Sequence, residues 1–570
     1  MAEKKRKKMI SGAELLCRCL VEQDVKYLFG YTGGAIMPVY DQFPKFPQFT
    51  HIMARHEQGA AFSAQGYARA TGQVGVCIAT SGPGAANLIT GIADAMMDSV
   101  PILAITGQVA TSVIGTDAFQ ESDVVGMMLP ITKQSYLVSD GRDIPRIVNE
   151  AFYLATHGRP GPVHIDIPKD IAIAMIPDEG FDTKIRYDHH QTRGVKDYDI
   201  AAAEILMAEA KQPVVFLGHG VILSNAQKEV RAFVEKSGMP FAFTLHGLSA
   251  LPADHPQALG MMGMHGTVPA NRAIEHADLI IAFGMRFDDR VTGKLDEYAS
   301  QAKVIHIEID RAEIHKNVKA DVAINSDLKP AIKALTQVVR KGNYKEWFAF
   351  AAANRAEWEA VDPVNTQQGL GPNGKLLMAD IVAKLSAVTK GQDNVLADVG
   401  QHQMFTARYY NFQRFNTWFN SGGAGTMGFA LPAAIGVKLA RPTERVWAVI
   451  GDGCFQMNIQ ELGTIMEQQL DIKIVLLNNN YLGMVKQWQD LFFDDRFVGT
   501  YLHNPDFIKL ASAYDIPGET VTERSEIEGA FKRAMKHKGP YLLEFKTDLR
   551  EMVLPMVASG APFREMKITL

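Results

Sequence analysis

The sequence predicts an α/β fold made of three doubly wound, parallel-sheet domains. Short β-branched runs that end in glycine alternate with amphipathic helical stretches along the chain, which is the pattern of βαβ units and parallel sheets. The chain has 570 residues, whereas a single hydrophobic core stops growing at about 250–300 residues. Several domains are therefore expected. The composition, with 47% hydrophobic and 21% charged residues, is that of a folded protein and not of a disordered or fibrous one.

We place the three domains at residues 9–177, 195–345 and 370–555, followed by a tail at 556–570. The polar, histidine-rich segment 178–197 has no periodicity and is interpreted as a linker. Strands are predicted from short apolar runs, which lie at 75–80, 101–106 and 162–168 in the first domain, at 213–217, 240–245, 278–283 and 303–309 in the second, and at 394–399, 445–450, 472–477 and 541–545 in the third.

Two glycine-rich segments indicate an ancient duplication of the first and third domains. SGPGAANLITGIADA begins at Ser81, and SGGAGTMGFALPAAIGVKLA begins at Ser421. Each places small residues in a loop that feeds a helix, which is the kind of self-similarity that repeated units show.

Charge, cysteine content and hydropathy exclude several classes of protein. The net charge of -5 leaves no broad basic surface, so a nucleic-acid partner is not expected. The four cysteines, Cys17, Cys19, Cys77 and Cys454, lack the paired spacing of a zinc or redox site and fit a reducing cytoplasm. No apolar run approaches the roughly 20 residues that cross a bilayer, so no membrane span is expected. The opening MAEKKRKK is interpreted as a solvated tail and not as a targeting segment.

The most informative motif is the stretch from Gly451 to Asn479. It is predicted to contain a strand, a tight Gly-Asp-Gly turn, a helix, a second strand and a double Asn. In a right-handed βαβ unit both strands are parallel, so Asp452 and Asn479 emerge at the same carboxyl edge. Their oxygens suit Mg²⁺. The glycines let the backbone approach a diphosphate, and the start of the helix near Phe455 supplies N–H groups. A Gly-Asp-Gly turn alone can be purely geometric.

Gly-Asp-Gly followed one βαβ unit later by Asn-Asn resembles the motif of thiamine-diphosphate enzymes. The resemblance implies that Mg²⁺ is held by Asp452, by the side chain of Asn479 and by the backbone oxygen of Tyr481. Diphosphate oxygens and a water would complete the near-octahedral shell that this ion demands.

Glu57, in the segment RHEQGA, is the candidate for activating the cofactor. On its own, a glutamate in the first turn of a helix is usually explained by the helix dipole. The order RHEQGA, TSGPGA and Gly-Asp-Gly is that of the thiamine enzymes, and it implies that Glu57 hydrogen-bonds the aminopyrimidine ring. In that family the pyrimidine-binding domain of one subunit faces the diphosphate-binding domain of another, which implies at least a homodimer.

The resemblance to the catalytic subunit of acetohydroxyacid synthase extends over nearly the whole chain. The segments of this chain that carry the resemblance include FGYTGGAIMPVYD, IGTDAFQE, GRPGPV, DIPKD, GMHG, FGMRFDDRVTG, GQHQM, GTMGFALPAAIG, GMVKQWQ and LPMV. The resemblance implies transfer of a two-carbon unit from pyruvate to pyruvate, giving 2-acetolactate, or to 2-oxobutyrate, giving 2-aceto-2-hydroxybutyrate. It implies a homodimer or homotetramer and a small regulatory subunit. A pyruvate oxidase that uses thiamine and FAD is the alternative enzyme, and a non-catalytic scaffold is the remaining reading.

The same resemblance assigns residues to the thiamine diphosphate and to the substrate. The cofactor would contact Glu57, Pro83, Asn87, Gln120, Val399, Gly400, Gln401, His402, Gly425, Met427, Gly451, Asp452, Gly453, Cys454, Asn479, Tyr481, Leu482, Gly483 and Met484. Substrate-channel and catalytic positions would be Glu57, Gly34, Phe119, Gln120, Lys169, Met484 and Trp488. Met427 would lie under the thiazole ring, and Trp488 would favour the larger second oxoacid. Without the flanking motifs, Met427, Met484 and Trp488 would be interpreted as core residues.

The segment RFDDR, Arg286 to Arg290, distinguishes between members of the superfamily. A run of charges after a strand is usually a surface ion-pair loop. Its position after DLIIAFG resembles the FAD-binding region of acetohydroxyacid synthases, in which the flavin is structural. FAD would be lined by residues within 265–286 and 308–327 and, individually, by Arg159, Gly218, Gly220, Thr244, Leu245, Met264, His265, Gly284, Arg286, Asp288, Arg290, Val291, Glu308, Ile309 and Asp327.

Three positions depart from the family pattern. Thr32 and Ala110 each replace a usual proline, and Leu482 stands where glutamine is common. Because the position of Ala110 lies at the channel where sulfonylurea-type inhibitors bind in the family, we hypothesise that this chain is less sensitive to chlorsulfuron than its Ala110→Pro variant.

Overall fold

The computed structural model describes residues 8–185, 192–367 and 369–569. The basic residues 1–7 and part of the predicted linker, 186–191, lie outside these ranges. The chain forms two compact units, each of which is described by itself. Unit 1 contains residues 1–190, 421–444 and 455–472, and unit 2 contains residues 191–420, 445–454 and 473–570.

The first sheet lies in unit 1, and three of its inner strands are buried along their whole length. In chain order the elements are β1 (Met9–Ser11), α1 (Gly12–Glu22), β2 (Tyr27–Gly30), α2 (Met37–Tyr40), β3 (Thr50–Met53), α3 (Glu57–Thr71), β4 (Gly75–Ala79), α4 (Pro83–Asp98), β5 (Ile102–Gln108), α5 (Val124–Met128), β6 (Gln134–Leu137), α6 (Ile144–Thr156), β7 (Val163–Pro168), α7 (Lys169–Ile173) and β8 (Met175–Pro177). The sheet has the order β3-β2-β4-β5-β7-β6 with parallel pairing. The ends of the segment, β1 and β8, pair antiparallel.

The central sheet lies in unit 2. Its elements are α8 (Asp197–Glu209), β9 (Pro213–Leu217), α9 (His219–Leu223), α10 (Gln227–Ser237), β10 (Phe241–Phe243), β11 (Ala258–Met261), α11 (Val268–His276), β12 (Leu279–Phe283), α12 (Asp289–Thr292), β13 (Lys303–Ile307), β14 (Val322–Ile324), α13 (Leu328–Val338), α14 (Lys345–Glu359) and α15 (Pro363–Thr366). The order β11-β10-β9-β12-β13-β14 is that of dinucleotide-binding folds.

The third sheet belongs to the last part of the chain. Its elements are α16 (Met378–Thr389), β15 (Asn394–Ala397), α17 (Gln401–Tyr409), β16 (Trp418–Asn420), α18 (Ala430–Ala440), β17 (Val446–Gly451), α19 (Asp452–Met457), α20 (Leu462–Glu467), β18 (Ile472–Asn478), α21 (Gly483–Phe492), α22 (Phe507–Ser512), β19 (Gly518–Val521), α23 (Ile527–Lys536) and β20 (Tyr541–Lys546). The order β16-β15-β17-β18-β20-β19 repeats the order of the first sheet, strand for strand. This shared order supports the predicted duplication.

Helices α3 and α18, both in unit 1, pack closely because small residues line their contact. A methyl group added at Gly66 would lie 2.0 Å from the carbonyl oxygen of Ala433, and one added at Gly436 would lie 1.9 Å from that of Ser63. The hydroxyl of Ser63 donates to the carbonyl of Pro432 at 2.9 Å. Glycine at these positions therefore allows the two backbones to touch.

The predicted fold class is confirmed, because three parallel sheets with helical crossovers form the chain. Each predicted strand is present. None of the helices in the described ranges is both long enough and apolar enough to cross a membrane.

Candidate functional site

The carboxyl edge of the third sheet brings the Gly-Asp-Gly turn and the double Asn together. β17 ends at Gly451, Asp452 is the first residue of α19, and Asn479 directly follows the neighbouring strand β18. The Asp452 side chain is only 2% exposed, so a carboxylate is held in the sheet crevice and not on the surface. Burial raises the pKa of Asp452 to about 6, while hydrogen bonds from Asn504 and from the backbone of Asn480 oppose this shift.

Asn504 joins the two strand ends. Its Nδ2 donates to Asp452 Oδ2 at 2.7 Å and to Asn478 Oδ1 at 3.0 Å. Sequence reasoning did not identify Asn504, because it lies in a loop between α21 and α22 and at no characteristic spacing from the motif.

The asparagine turn after β18 is shaped by its own side chains. Asn478 Oδ1 accepts from the backbone of Asn480 at 3.1 Å, and Asn479 Oδ1 accepts from the backbone of Tyr481 at 3.0 Å. Asn480 has φ of 62°, a conformation that asparagine tolerates better than most residues. An amide oxygen has two lone pairs, so Asn479 Oδ1 retains one for a further ligand.

The described ranges contain no cluster of three or more histidine, cysteine, aspartate or glutamate side chains that could hold a metal ion. The predicted ligand set of Asp452, Asn479 and the Tyr481 backbone has a single carboxylate. It would rely on neutral oxygens and on the ligands that a diphosphate brings.

His402 and two glycines form a cradle beside the Gly-Asp-Gly turn. A methyl group added at Gly451 would lie 2.8 Å from the His402 ring, and one added at Gly400 would lie 2.9 Å from it. Burial lowers the pKa of His402 to about 3, so the ring is neutral. Its buried Nε2 has no hydrogen-bond partner among the residues that the structure describes. The cradle leaves room for a compact group, such as a diphosphate, to approach the glycine backbone beside His402.

Other predicted cofactor residues surround this cradle. Cys454, one residue after Gly453, donates from its Sγ to the carbonyl of Val399 at 3.1 Å. Gln401 donates from Nε2 to Gln487 Oε1 at 3.0 Å and to the carbonyl of Glu551 at 2.9 Å, so its amide is already engaged within the protein.

Helix α21 begins at this edge and carries the two predicted substrate-facing side chains. Leu482 is its N-cap residue, and a methyl group added at Gly483 would lie 2.2 Å from Gln401 Oε1. Met484 and Trp488 are half-buried, and the indole packs against Phe492 with ring centroids 5.0 Å apart.

The carboxyl edge of the first sheet carries Glu57. It is the first residue of α3, it is 8% exposed, and its Oε2 accepts from Asn87 Nδ2 of α4 at 2.9 Å. A glutamate that served only the helix dipole would face water, whereas this carboxylate is buried and held by a specific donor. Pro83 occupies the first turn of α4, as expected for a helix start.

Glu461, which sequence reasoning missed, supports the turn before Glu57. Its Oε1 accepts from the backbone N–H of Arg55 at 2.9 Å and of His56 at 3.0 Å, and the side chain is fully buried. Burial raises the pKa of Glu461. Burial, together with the charge of Glu57, also raises the pKa of Tyr40.

The predicted substrate-channel residues occupy loops of the first sheet. Phe119 is 89% exposed and therefore has no packing role within the described residues. Gln120 has φ of 59°, and its backbone lies against Gly82, where an added methyl group would be 2.6 Å away. Lys169 is exposed at the start of α7, and a methyl group added at Gly34 would meet open space.

The loop that carries Gly425 and Met427 is held by acidic residues of α4. Asp98 accepts from the backbone of Gly423 at 2.7 Å, and Asp94 accepts from the hydroxyl of Thr426 at 2.7 Å. Met427 is half-buried.

In the central sheet, the predicted FAD residues follow the carboxyl ends of the strands. Gly218 and Gly220 lie against Gly284 after β9 and β12. Thr244, followed by Leu245, caps a short turn after β10. Glu308 and Ile309 follow β13, and Asp327 caps α13. In unit 1, Arg159 donates to the Ser99 hydroxyl at 2.7 Å.

The RFDDR segment shows features of both of its interpretations. Arg286 lies 3.9 Å from Asp288, and Arg290 lies 3.5 Å from Asp289, as in an ion-pair loop. Arg290 also donates to the Met264 sulfur at 3.4 Å, and Val291 begins a buried turn. Beside Met264, His265 is buried, with its pKa lowered to about 3 and with Nδ1 unpartnered within the described ranges.

Three family models match the chain. They are the N-terminal TPP binding domain of thiamine pyrophosphate enzymes at residues 10–127, their central domain at 200–335 and their C-terminal TPP binding domain at 398–545.

Similar proteins cover nearly the whole length. The large subunit of acetolactate synthase isozyme 2 of Escherichia coli (strain K12) is 46% identical, over 98% of this chain and 99% of its own. Acetolactate synthase 1, chloroplastic, of Oryza sativa subsp. japonica is 44% identical over 97% of this chain and 87% of its own. Acetolactate synthase of Mycobacterium leprae (strain TN) is 44% identical over 98% and 90%.

Proposed function

The chain belongs to the acetolactate synthase family of thiamine pyrophosphate enzymes, and we propose that it is the catalytic subunit of an acetohydroxyacid synthase. This transferase decarboxylates pyruvate and ligates the two-carbon unit to a second 2-oxoacid. The product is 2-acetolactate from pyruvate or 2-aceto-2-hydroxybutyrate from 2-oxobutyrate, as branched-chain amino acid biosynthesis requires. The observation that carries the proposal is the meeting of Asp452, the asparagine turn and the His402 cradle at one sheet edge.

Thiamine diphosphate is the cofactor of this family, and we propose that Mg²⁺ anchors it. Asp452, Asn479 Oδ1 and the backbone oxygen of Tyr481 would hold the ion, since hard oxygen ligands at a sheet edge suit it. Gly400, Gly451 and Gly453 would admit the diphosphate beside the His402 ring. When bound, the cofactor supplies a nucleophilic carbon and an electron sink for the departing carboxylate.

Glu57 would hold a proton between its carboxylate and the aminopyrimidine ring. Asn87 fixes the orientation of the carboxylate through Oε2, which leaves Oε1 for the ring. Glu461 fixes the turn that presents Glu57. Met427 would support the bent cofactor from its loop. Gly34, Phe119, Gln120 and Lys169 would line the substrate channel, and Met484 and Trp488 would contact the second oxoacid.

The central domain would bind FAD in a structural role. His265 Nδ1 is buried and has no partner within the described ranges, and Gly218 and Gly220 lie close to Gly284. Both features fit a dinucleotide that approaches the backbone at the carboxyl ends of these strands. RFDDR would contact the flavin through Arg286 and Arg290.

We also propose domain bounds, an oligomeric state and a cellular compartment for the chain. The three domains would span 9–177, 195–345 and 370–555, and the chain would form a homodimer or homotetramer with a small regulatory subunit. All four cysteines are buried, and none forms a disulfide within the described residues, which supports a reducing compartment such as the cytoplasm.

Product analysis tests the proposed function. Purified protein is supplied with thiamine diphosphate, Mg²⁺, FAD and an anaerobic mixture of pyruvate and 2-oxobutyrate. We expect both acetohydroxyacids, with the flavin remaining oxidised and no electron acceptor required. Acetate or acetyl phosphate formed only with an acceptor would instead establish the pyruvate oxidase.

A further inference from the structure

Gln487 lies at the centre of a buried amide network on α21, one residue before Trp488. Its Oε1 accepts from the backbone of Val553 at 2.8 Å and from Gln401 Nε2 at 3.0 Å. Its Nε2 donates to the carbonyl of Val553 at 3.3 Å. The side chain is 1% exposed, so water cannot replace these partners.

This network is the buried attachment of α21 to the backbone at Val553. Along the helix, which lies wholly in the described part of the chain, only Lys486 and Gln487 are buried. The Lys486 ammonium forms an ion pair with Asp490 of the same helix, with 2.8 Å between Nζ and Oδ2. On the opposite face, Val485 and Phe492 are about half exposed, and the half-buried Gln489 bonds to Val498 and Thr500. Gln487 is therefore the buried side chain that ties the inner face of α21 to the backbone at Val553.

We infer that Gln487 is a positioning residue that sets specificity for the second oxoacid by fixing where Trp488 and Met484 stand. The inference rests on the proposed function. The two candidate acceptors, pyruvate and 2-oxobutyrate, differ by one methylene. An apolar wall distinguishes them only while it stays in van der Waals contact with that group. A helix released from Val553 would shift the indole and lose this contact.

The test compares Gln487→Met with the unsubstituted protein in competition between pyruvate and 2-oxobutyrate. Met has similar length but cannot bind Val553 or Gln401. We expect the ratio of 2-aceto-2-hydroxybutyrate to 2-acetolactate to fall about three- to tenfold, because a contact with one methylene discriminates by about 10–200-fold at most. The ratio does not depend on how much enzyme is folded. Gln212→Met, at an exposed glutamine of unit 2, is the control and should leave the ratio unchanged.

Hydrogen exchange gives a second readout that needs no activity. In Gln487→Met, and in Gln487→Glu, which keeps an acceptor but loses the donor, the amides of α21 should exchange faster while those of β17 and β18 do not. An unchanged product ratio, or unchanged exchange in α21, would overturn the inference. If the unsubstituted protein makes neither acetohydroxyacid, the proposed function itself fails, and this outcome is distinct from a fixed ratio.

Discussion

The first and third sheets have the same strand order but carry different chemistry at their carboxyl edges. In both sheets, successive strands are added first towards one edge and then towards the other. This switch falls between the second and third strands of the order, where it opens a crevice. The carboxyl edge of the first sheet presents Glu57 with a single amide donor, Asn87. That of the third presents Asp452 with Asn504 and the asparagine turn. One backbone plan thus presents buried polar side chains at two carboxyl edges, and we propose that a few of these side chains decide whether an edge suits the neutral ring or the metal diphosphate.

Replacing Glu57 by Gln should have the largest effect on turnover. Gln keeps the shape and the contact with Asn87 but cannot hold the proton, so acetohydroxyacid formation should fall by about 10²–10⁴-fold. Binding of Mg²⁺ and thiamine diphosphate, measured by calorimetry, should persist. Glu22→Gln, at an exposed glutamate of the same unit, is the control. Near-normal turnover of Glu57→Gln would contradict the role proposed for the first sheet.

Replacing Asp452 by Asn should disrupt the proposed metal site at the carboxyl edge of the third sheet. The loss of the only carboxylate in the ligand set should weaken Mg²⁺-dependent binding of thiamine diphosphate more than the roughly 10–100-fold that a lost outer partner costs. The same calorimetric titration measures it, with Asp515→Asn, at an exposed aspartate, as the control. Binding that is retained with Asp452→Asn would place the metal elsewhere.

Asn504→Ala should produce a smaller change of the same kind. Asn504 orients Asp452 without being a proposed ligand, so we expect thiamine diphosphate affinity to fall by about 10-fold, at the lower end of the usual range for outer partners. Asn504→Asp should be worse than Ala, because it places a second carboxylate beside Asp452. Equal affinities for Asn504→Asp and the unsubstituted protein would show that Asn504 does not orient the site.

The sequence predicted most inner strands of the sheets, but it missed the inner strand β2 and the strands at the sheet edges. All of the predicted strands, such as 75–80 and 472–477, lie inside a sheet, where burial on both faces gives a continuous apolar run. The edge strands, which were not predicted, are short or carry polar side chains. β6 reads QSYL and β19 reads GETV, and such runs resemble loops.

In the candidate site, residues in sequence motifs were predictable and their supports were not. Asp452 and Asn479 follow strands at a fixed spacing, so the topology brings them together. Glu461 and Asn504 act through hydrogen bonds to partners that are distant along the chain, 406 positions away for Arg55. No local pattern indicates such a contact, because the fold alone creates it.

The first and third sheets each carry a buried carboxylate on the strand next to an edge strand, and this pair gives the last test of the comparison. Asp166 of β7 accepts from Thr106 at 2.6 Å and from Gln108 at 3.0 Å. Glu544, at the corresponding position of β20, accepts from Asn478 at 2.7 Å and also pairs with Lys546. The first carboxylate has only neutral donors, whereas the second has a cation.

Burial raises the pKa of Asp166 to about 7 from its ordinary 3.8, although Thr106 and Gln108 oppose the shift. Because the folded state holds this proton more tightly than the unfolded chain, stability should fall as pH rises from about 4 to 7. Asp166→Asn stays neutral, so its unfolding free energy relative to the unsubstituted protein should be higher at pH 8 than at pH 5. The expected gain is about 2–3 kcal/mol, the scale of the two pH units of linkage between pH 5 and the raised pKa.

Urea unfolding at the two pH values measures the difference. Glu544→Gln is the matched control, and it should lose stability at pH 8 because Lys546 is left without its carboxylate. A stability difference for Asp166→Asn that does not change with pH would mean that burial does not raise the pKa of Asp166, and the contrast drawn between the two sheets would be lost.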